Sequence, residues 1–332
     1  MKRNMVTIRT IKNIEPIEGA DFVEKITIDG WNVVSNKSNG FAIGDKVLFF
    51  EIDSLLSDTV DAFADINAGT KHKSMTREDG AVFNGGVLRT KKIRGVYSQG
   101  LAMPLNVFGL DPDMTQDEID AFFADKVIKW EAPAIAGSNT VSTFPSFIRK
   151  TDSERIQNVD DNFLAGLNPD DWFATEKIDG MSTTFWKDEN GDFHAASRNH
   201  EINLTDAHKA VVERYNIADR LGPMDWVQGE LFGSGIQSNR LQLADGVVDF
   251  RAFNSTVPEK MEDISVPRRD DLTLPRTVED GITQVVKMRS SINPKVQAEG
   301  VVWWNRNGET FKKIGDRANF KSINPDFLAK EK

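Results

Sequence analysis

Two short apolar runs, Trp172-Phe-Ala-Thr-Glu-Lys-Ile178 and Ser182-Thr-Thr-Phe-Trp186, meet at Asp179-Gly180. Runs this short, interrupted by Asp-Gly, predict one strand that stops and another that begins. Lys177 then stands on a rigid strand end at the edge of a cleft, where Gly180 is expected to let a phosphate approach the backbone. A lysine so placed can be a covalent nucleophile; it can equally be a solvated side chain on an ordinary hairpin. A chain of 332 residues carries a chance Lys-x-Asp-Gly roughly one time in ten, so the motif needs company.

Length favours two domains, because single cores rarely grow past about 250 to 300 residues. No run of 18 apolar residues exists and no signal-peptide core follows Met-Lys-Arg-Asn, so the expectation is a soluble cytoplasmic protein with no membrane partner. The absence of cysteine excludes disulfides, thiolate catalysis and cysteine-ligated metal centres. The four histidines, at 72, 194, 200 and 208, show no metal-ligand spacing. A net charge of −10 argues against a nucleic-acid partner. Distribution argues back: from Gly80 to Leu110 there is no acidic residue, while Arg89, Lys91, Lys92 and Arg94 are present.

Residues 1–130 read as mostly β. Val23–Ile28 and Trp31–Val34 flank Asp29-Gly30, a two-residue hairpin signal. Further strands are predicted over Lys46–Ile52, Leu88–Ile93 and Gln99–Met103, a set that suggests a small barrel such as an OB fold. Thr115 and Glu118 are spaced as a capping box for a helix from Gln116 to Lys126. Residues 131–146 are small, polar and proline-punctuated and are expected to be a linker. From 147 to 332 the pattern is α+β with an antiparallel sheet. Strands lie on either side of Asn190-Gly191, at Val227–Phe232 and at Val247–Phe253, helices at Asp206–Tyr215 and after Thr277. A last hairpin joins Gly300–Trp304 to Glu309–Ile314.

If Lys177 attacks a nucleotide α-phosphate, its amine must be neutral although its ordinary pKa is about 10.4. A second cation or a metal nearby lowers that value. Pyrophosphate departure needs charge neutralisation, carboxylates must hold the ion, and an aromatic ring should cover the base. Val227-Gln-Gly-Glu230 and Glu299-Gly-Val-Val-Trp-Trp304 place carboxylates in apolar strands, which is costly unless each is paired or holds a cation. Phe253, Arg198, Lys312 and Lys321 are the aromatic and basic candidates; singly, each is core or a solvated charge.

In order, Lys177, Arg198, Glu230, Phe253, Glu299 and Lys321 resemble the motif set of the covalent nucleotidyltransferases, which include ATP-dependent RNA and DNA ligases and capping enzymes. The resemblance narrows to ATP-dependent RNA ligases with an N-terminal OB domain. Three stretches carry it: Gly44-Asp-Lys-Val-Leu-Phe-Phe-Glu-Ile-Asp-Ser-Leu-Leu56, Leu88 to Leu105, and Phe144 to Asn158. It implies the fold, an OB-fold β-barrel followed by an antiparallel-sheet nucleotidyltransferase domain. It implies ATP and Mg2+ or Mn2+ as cofactors, and RNA as partner of a monomeric enzyme that seals 3′-hydroxyl and 5′-phosphate ends. It implies that Lys177 becomes lysyl-adenylate, and that Asp179, Glu230 and Glu299 hold the ion through water. Glu230 then contacts ribose, Phe253 stacks on adenine, Glu176 and Arg198 serve the nucleotide, and Lys150 and Arg155 contact the β and γ phosphates. Lys321 closes the set, with Lys312 as the alternative. Phe253-Asn254 departs from the family's Phe-Asp. The other readings are a DNA ligase or guanylyltransferase, and a non-catalytic OB-fold RNA-binding protein.

Overall fold

The computed structural model describes residues 3–77, 79–131 and 139–330. A two-stranded sheet, Lys91–Ile93 with Val96–Ser98, and two larger antiparallel sheets build the N-terminal part. One runs, in spatial order, Leu101–Pro104, Lys46–Phe50, Val6–Pro16, Val23–Ile28 and Trp31–Asn36; the other Val127–Lys129, Ser54–Ser57, Val82–Val87 and His72–Thr76. The Asp29-Gly30 hairpin forms as expected, with Asp29 in the left-handed region at φ 51°. The capping box of Thr115 and Glu118 forms too, on a helix that ends earlier than expected, at Phe123.

Val6–Pro16 is the longest strand, and periodicity does not reveal it. Its first half pairs with Lys46–Phe50 and its second with Val23–Ile28, with an irregularity between Ile11 and Asn13. A strand that changes partner midway breaks the alternation that would announce it.

The C-terminal part is two sheets facing each other. The six-stranded sheet runs Thr140–Thr143, His200–Ile202, Phe193–Ala196, Met181–Lys187, Trp226–Gly233, Val248–Ser255. The four-stranded sheet runs Glu154–Arg155, Asn319–Ile323, Gly300–Asn305, Trp172–Lys177. Each sheet buries one face in its own core. Phe185, Val227 and Phe250 pack with Val211 of the helix Asp206–Tyr215, while Trp172, Trp303 and Phe320 pack with Val285 of the helix Val278–Val286. The two remaining faces look at one another.

Three sequence expectations change here. Asp179-Gly180 is not a hairpin turn: Trp172–Lys177 and Met181–Lys187 lie in different sheets, and Ile178, Asp179 and Gly180 cross between them. Glycine is required there because the neighbouring strand passes so close. A Cβ on Gly180 would stand 2.4 Å from the Leu231 carbonyl oxygen and 3.0 Å from Glu230 Cγ. Second, Gly300–Asn305 pairs with Asn319–Ile323 instead of with 309–314, and Lys312–Ile314 forms a 3-10 helix. Phe311 packs its ring against Trp172 and Phe163, which pins that loop to the core instead of the ladder. Third, the linker expected over 131–146 lies partly outside the described residues, at 132–138, and within it Thr140–Thr143 is an edge strand of the six-stranded sheet. Among the described residues no helix is long and apolar enough to cross a membrane.

The buried His208 accepts the Thr205 backbone N–H at Nδ1, 3.2 Å away, and thereby caps its own helix. Burial pushes its pKa down to about 4. A depressed value means that the neutral ring is the folded form, so stability is full above the unfolded pKa of about 6.5 and drains as pH falls toward 4. Urea titrations at pH 7.5 and pH 4.5 should show that His208→Gln removes an acid-induced loss of roughly 2 to 3 kcal/mol. Equal acid sensitivity in both proteins contradicts the assignment.

Candidate active site

Strand alternation turns Thr175 and Lys177 toward the facing sheet and Trp172 and Ala174 toward the core. Lys177 pairs in register with Gly300, so Glu299 lies beside it, and Lys177 Nζ donates to Glu299 Oε2 at 2.7 Å. Lys321 sits one strand further on, opposite Val302. Glu230 faces them from the other sheet, opposite Ser182 in the ladder. Between the sheets lies a cleft of about 550 Å³ whose walls include Lys177, Asp179, Glu230, Glu299 and Lys321 at the charged end. Phe253, Val266, Val302 and Trp304 line it elsewhere.

Charges this close in a buried site reset one another. Burial presses the Lys177 amine down, but Glu299, Glu230 and Asp179 outweigh it, and its pKa is raised. In the resting site its carboxylates therefore keep the proton on the Lys177 amine. Lys321 is the reverse: burial, then Arg155 and Lys177, hold it well below the usual lysine range. Glu230 is pushed up to about 8 by burial, with Glu299 and Asp179 adding repulsion against the pull of Lys177. Three carboxylates that repel each other fit a divalent cation. Among the described residues no three acidic or histidine side chains gather tightly enough to ligate an ion directly.

The N-terminal part supplies one wall of the cleft, through Arg3, Asp53, Arg89 and Lys129. Asp53, at φ 73° in the turn after Lys46–Phe50, holds three guanidinium groups: Arg155 at 3.2 Å, Arg89 at 3.1 Å and Arg3 at 3.4 Å. Burial alone would raise its pKa, yet Arg155, Arg3 and Arg89 keep it below the usual carboxylate range. Glu51 beside it accepts from Arg3 at 2.6 Å, Arg9 at 3.1 Å and the Asn158 amide at 3.0 Å. Sequence reasoning missed Glu51 and Asp53; two carboxylates closing the apolar run Val47-Leu-Phe-Phe50 were the available signal.

The other expected residues fall as follows. Arg198 lines the cleft and pairs with Asp152. Lys150 also lines it, 3.2 Å from Asn199 Oδ1. Arg155 lines the cleft, is buried at 6% exposure, and has no hydrogen-bond partner at Nε or Nη1. Asn254 donates to Gln228 Oε1 at 3.2 Å. Lys312 is exposed on its 3-10 helix and does not line the cleft, which leaves Lys321. Glu176 also lines the cleft, but its carboxylate points to the opposite face of its strand, where Ser290 Oγ and the Ser291 amide hold it at 2.5 and 2.6 Å. The basic stretch is largely spent on the protein itself: Arg89 on Asp53, Lys91 on the Gly69 carbonyl, Lys92 on Asp326.

Comparison with known proteins agrees with this geometry. Residues 170–323 match the RNA ligase family model, and residues 5–105 match an OB-fold domain model. A Naegleria gruberi RNA ligase solved with PPi is 28% identical, with 99% of each chain covered and a TM-score of 0.80. A mutant of that ligase with AMP and Mn gives the same identity, coverage and TM-score. Another mutant, with ATP and Mn, is 28% identical over 98% of this chain and 99% of that one, at a TM-score of 0.79. No curated protein matches. Residues 170–323 form a domain of the RNA ligase family, an OB-fold domain stands ahead of it, and the protein is an enzyme.

The raised Glu230 pKa makes a stability statement. A carboxyl whose folded pKa lies above its unfolded value contributes fully below the unfolded value near 4.5 and loses that contribution as pH rises through about 8. Glu230→Gln should therefore stabilise the metal-free protein at pH 8.5, by up to a few kcal/mol, and change little at pH 5. Thermal melts in chelator at both pH values check this, and a variant less stable than wild type at pH 8.5 contradicts it.

Proposed function

We propose that this RNA ligase joins 3′-hydroxyl and 5′-phosphate RNA ends with ATP, through an adenylate carried on Lys177. The observation that carries the reading is the Lys177–Glu299 contact of 2.7 Å in a cleft that also holds Glu230 and Lys321. The Naegleria gruberi ligase, solved with ATP, AMP, PPi and Mn, supports the same ligands here.

In the first step the amine must lose the proton that Glu299, Glu230 and Asp179 now hold on it. The 2.7 Å hydrogen bond to Glu299 is the direct path out. Nζ then forms a bond to the α-phosphorus, and pyrophosphate leaves with the electrons of the broken P–O bond. Asp179, Glu230 and Glu299 would hold a hydrated Mg2+ or Mn2+, which supplies charge neutralisation at the phosphates and lowers the amine pKa. Lys321, whose pKa burial and the neighbouring cations hold low, binds its proton more firmly where the triphosphate brings negative charge, and so supplies the cation that the transition state needs. Phe253 stacks on the base and Glu230 takes the ribose. Arg155, with two unpartnered donor nitrogens, and Lys150 receive the far phosphates. In the second step AMP passes to the 5′-phosphate of the RNA. In the third the 3′-hydroxyl attacks that phosphate and AMP leaves.

The OB-fold domain in this reading is part of the nucleotide site, because Asp53 positions Arg155. Incubation with α-labelled ATP and Mg2+ or Mn2+ should label the wild type and not Lys177→Ala; label on the alanine variant defeats the proposal. Asp53→Ala strands a buried guanidinium, at a cost of roughly 3 to 5 kcal/mol. Self-adenylylation, measured in the same assay, should fall along with sealing of nicked RNA. Intact self-adenylylation by Asp53→Ala refutes the coupling.

A further inference from the structure

The tandem Trp303-Trp304 divides its labour. Trp303 is 1% exposed and donates its indole N–H to Ser322 Oγ at 3.2 Å inside the core. Trp304, one residue on, faces the cleft and donates to Thr175 Oγ1 at 2.9 Å. The two groups are diagonal neighbours on one sheet face, since Thr175 pairs with Val302 and Trp304 with Phe173. Diagonal cross-strand neighbours lie about 7 to 8 Å apart at Cα, within reach of a large aromatic side chain.

Thr175 precedes Lys177 by two residues on that face, about 7 Å along the strand. Phe253, Val266 and Val302 line the cleft with it. The distance separates a group that touches the α-phosphate from one that touches the base, with a ribose between. Thr175 itself is 6% exposed and lines the cleft. Its hydroxyl oxygen accepts from the indole, so its hydrogen is left to face a partner in the cleft. The Watson–Crick edge of adenine offers an acceptor at N1; guanine offers an N–H there, donor against donor.

Resting on the adenylate reading above, we propose that Trp304 is a positioning residue for the nucleobase: its ring closes the apolar end of the cleft, and its indole N–H orients the Thr175 hydroxyl toward the base edge, which favours ATP over GTP. Trp304→Phe keeps a ring and removes the N–H. Thr175→Val keeps the shape and removes the hydroxyl, and Thr175→Ser retains it.

The test measures self-nucleotidylation by the full-length enzyme with ATP and with GTP, varying each nucleotide. Trp304→Phe and Thr175→Val should each raise KM for ATP about five- to tenfold, the worth of one hydrogen bond. The rate at saturating ATP and the slow reaction with GTP should stay unchanged. The double variant should lose no more than either single, because both remove one contact, and Thr175→Ser should behave as wild type. An unchanged ATP-to-GTP ratio in Trp304→Phe and in Thr175→Val overturns the inference, as does an equal loss with both nucleotides. Should Trp304→Phe fold poorly, the two Thr175 variants decide. Wild type that labels with ATP while the variants keep its selectivity defeats this inference alone; wild type that fails to label defeats it together with the adenylate reading.

Discussion

Buried charge of both signs, held between two sheets, is what the rest of the structure serves. A lysine and three carboxylates within one cleft cannot be placed by hydrophobic burial, which is non-directional. They need rigid strands that deliver each side chain from a fixed register. Lys177 and Glu299 come from neighbouring strands, Glu230 from the opposed sheet, and Asp179 from the crossing between the two. The apolar packing behind each sheet, Trp172 with Phe320 on one side and Phe185 with Phe250 on the other, holds those strands in place. The resting site is poised, with a proton held on Lys177 by its carboxylates and on Glu230 by burial.

A second charged cluster fixes the two parts of the molecule against each other. Asp53 and Glu51 of the OB-fold domain hold Arg155 and Asn158, and the Trp31 indole N–H donates to Asn158 Oδ1 at 2.7 Å. Buried ion pairs are weak evidence for stability but strong for register, because any other docking leaves a guanidinium or carboxylate without a partner. The short strand Glu154–Arg155 passes the constraint on. It pairs in parallel with Asn319–Ile323, so Arg155 is in register with Lys321. The OB-fold domain thus reaches the closing lysine through a single ladder step.

Much of this was legible in the sequence where the signal was local. Thr115 and Glu118 announce their cap, Asp29-Gly30 its hairpin, and the helix Asp206–Tyr215 its bounds. Lys177, Glu230, Glu299 and Lys321 carried a recognisable order, and the structure brings them to one cleft. What could not be read depends on pairing at long range. Nothing near Gly300–Asn305 says that its partner starts at Asn319 and not at Glu309, because both segments are short and apolar enough. Strand parity turns the Glu176 carboxylate away from Lys177, because adjacent side chains on a strand face opposite ways. Nor can composition tell that Arg89, Lys91 and Lys92 are engaged with Asp53, the Gly69 carbonyl and Asp326.

The wedge of Glu154–Asn158 between barrel and ligase sheets bears on how this architecture can be recombined. Arg155 belongs by hydrogen bonding to the barrel and by ladder pairing to the ligase sheet, so no cut in the chain separates the two modules cleanly. A chimera that grafts a foreign barrel at the obvious seam, near residue 139, keeps a guanidinium shaped for an aspartate that has gone. The inheritable unit is therefore barrel plus wedge, and compatible exchange partners are those that match Asp53 to Arg155 and Glu51 to Asn158.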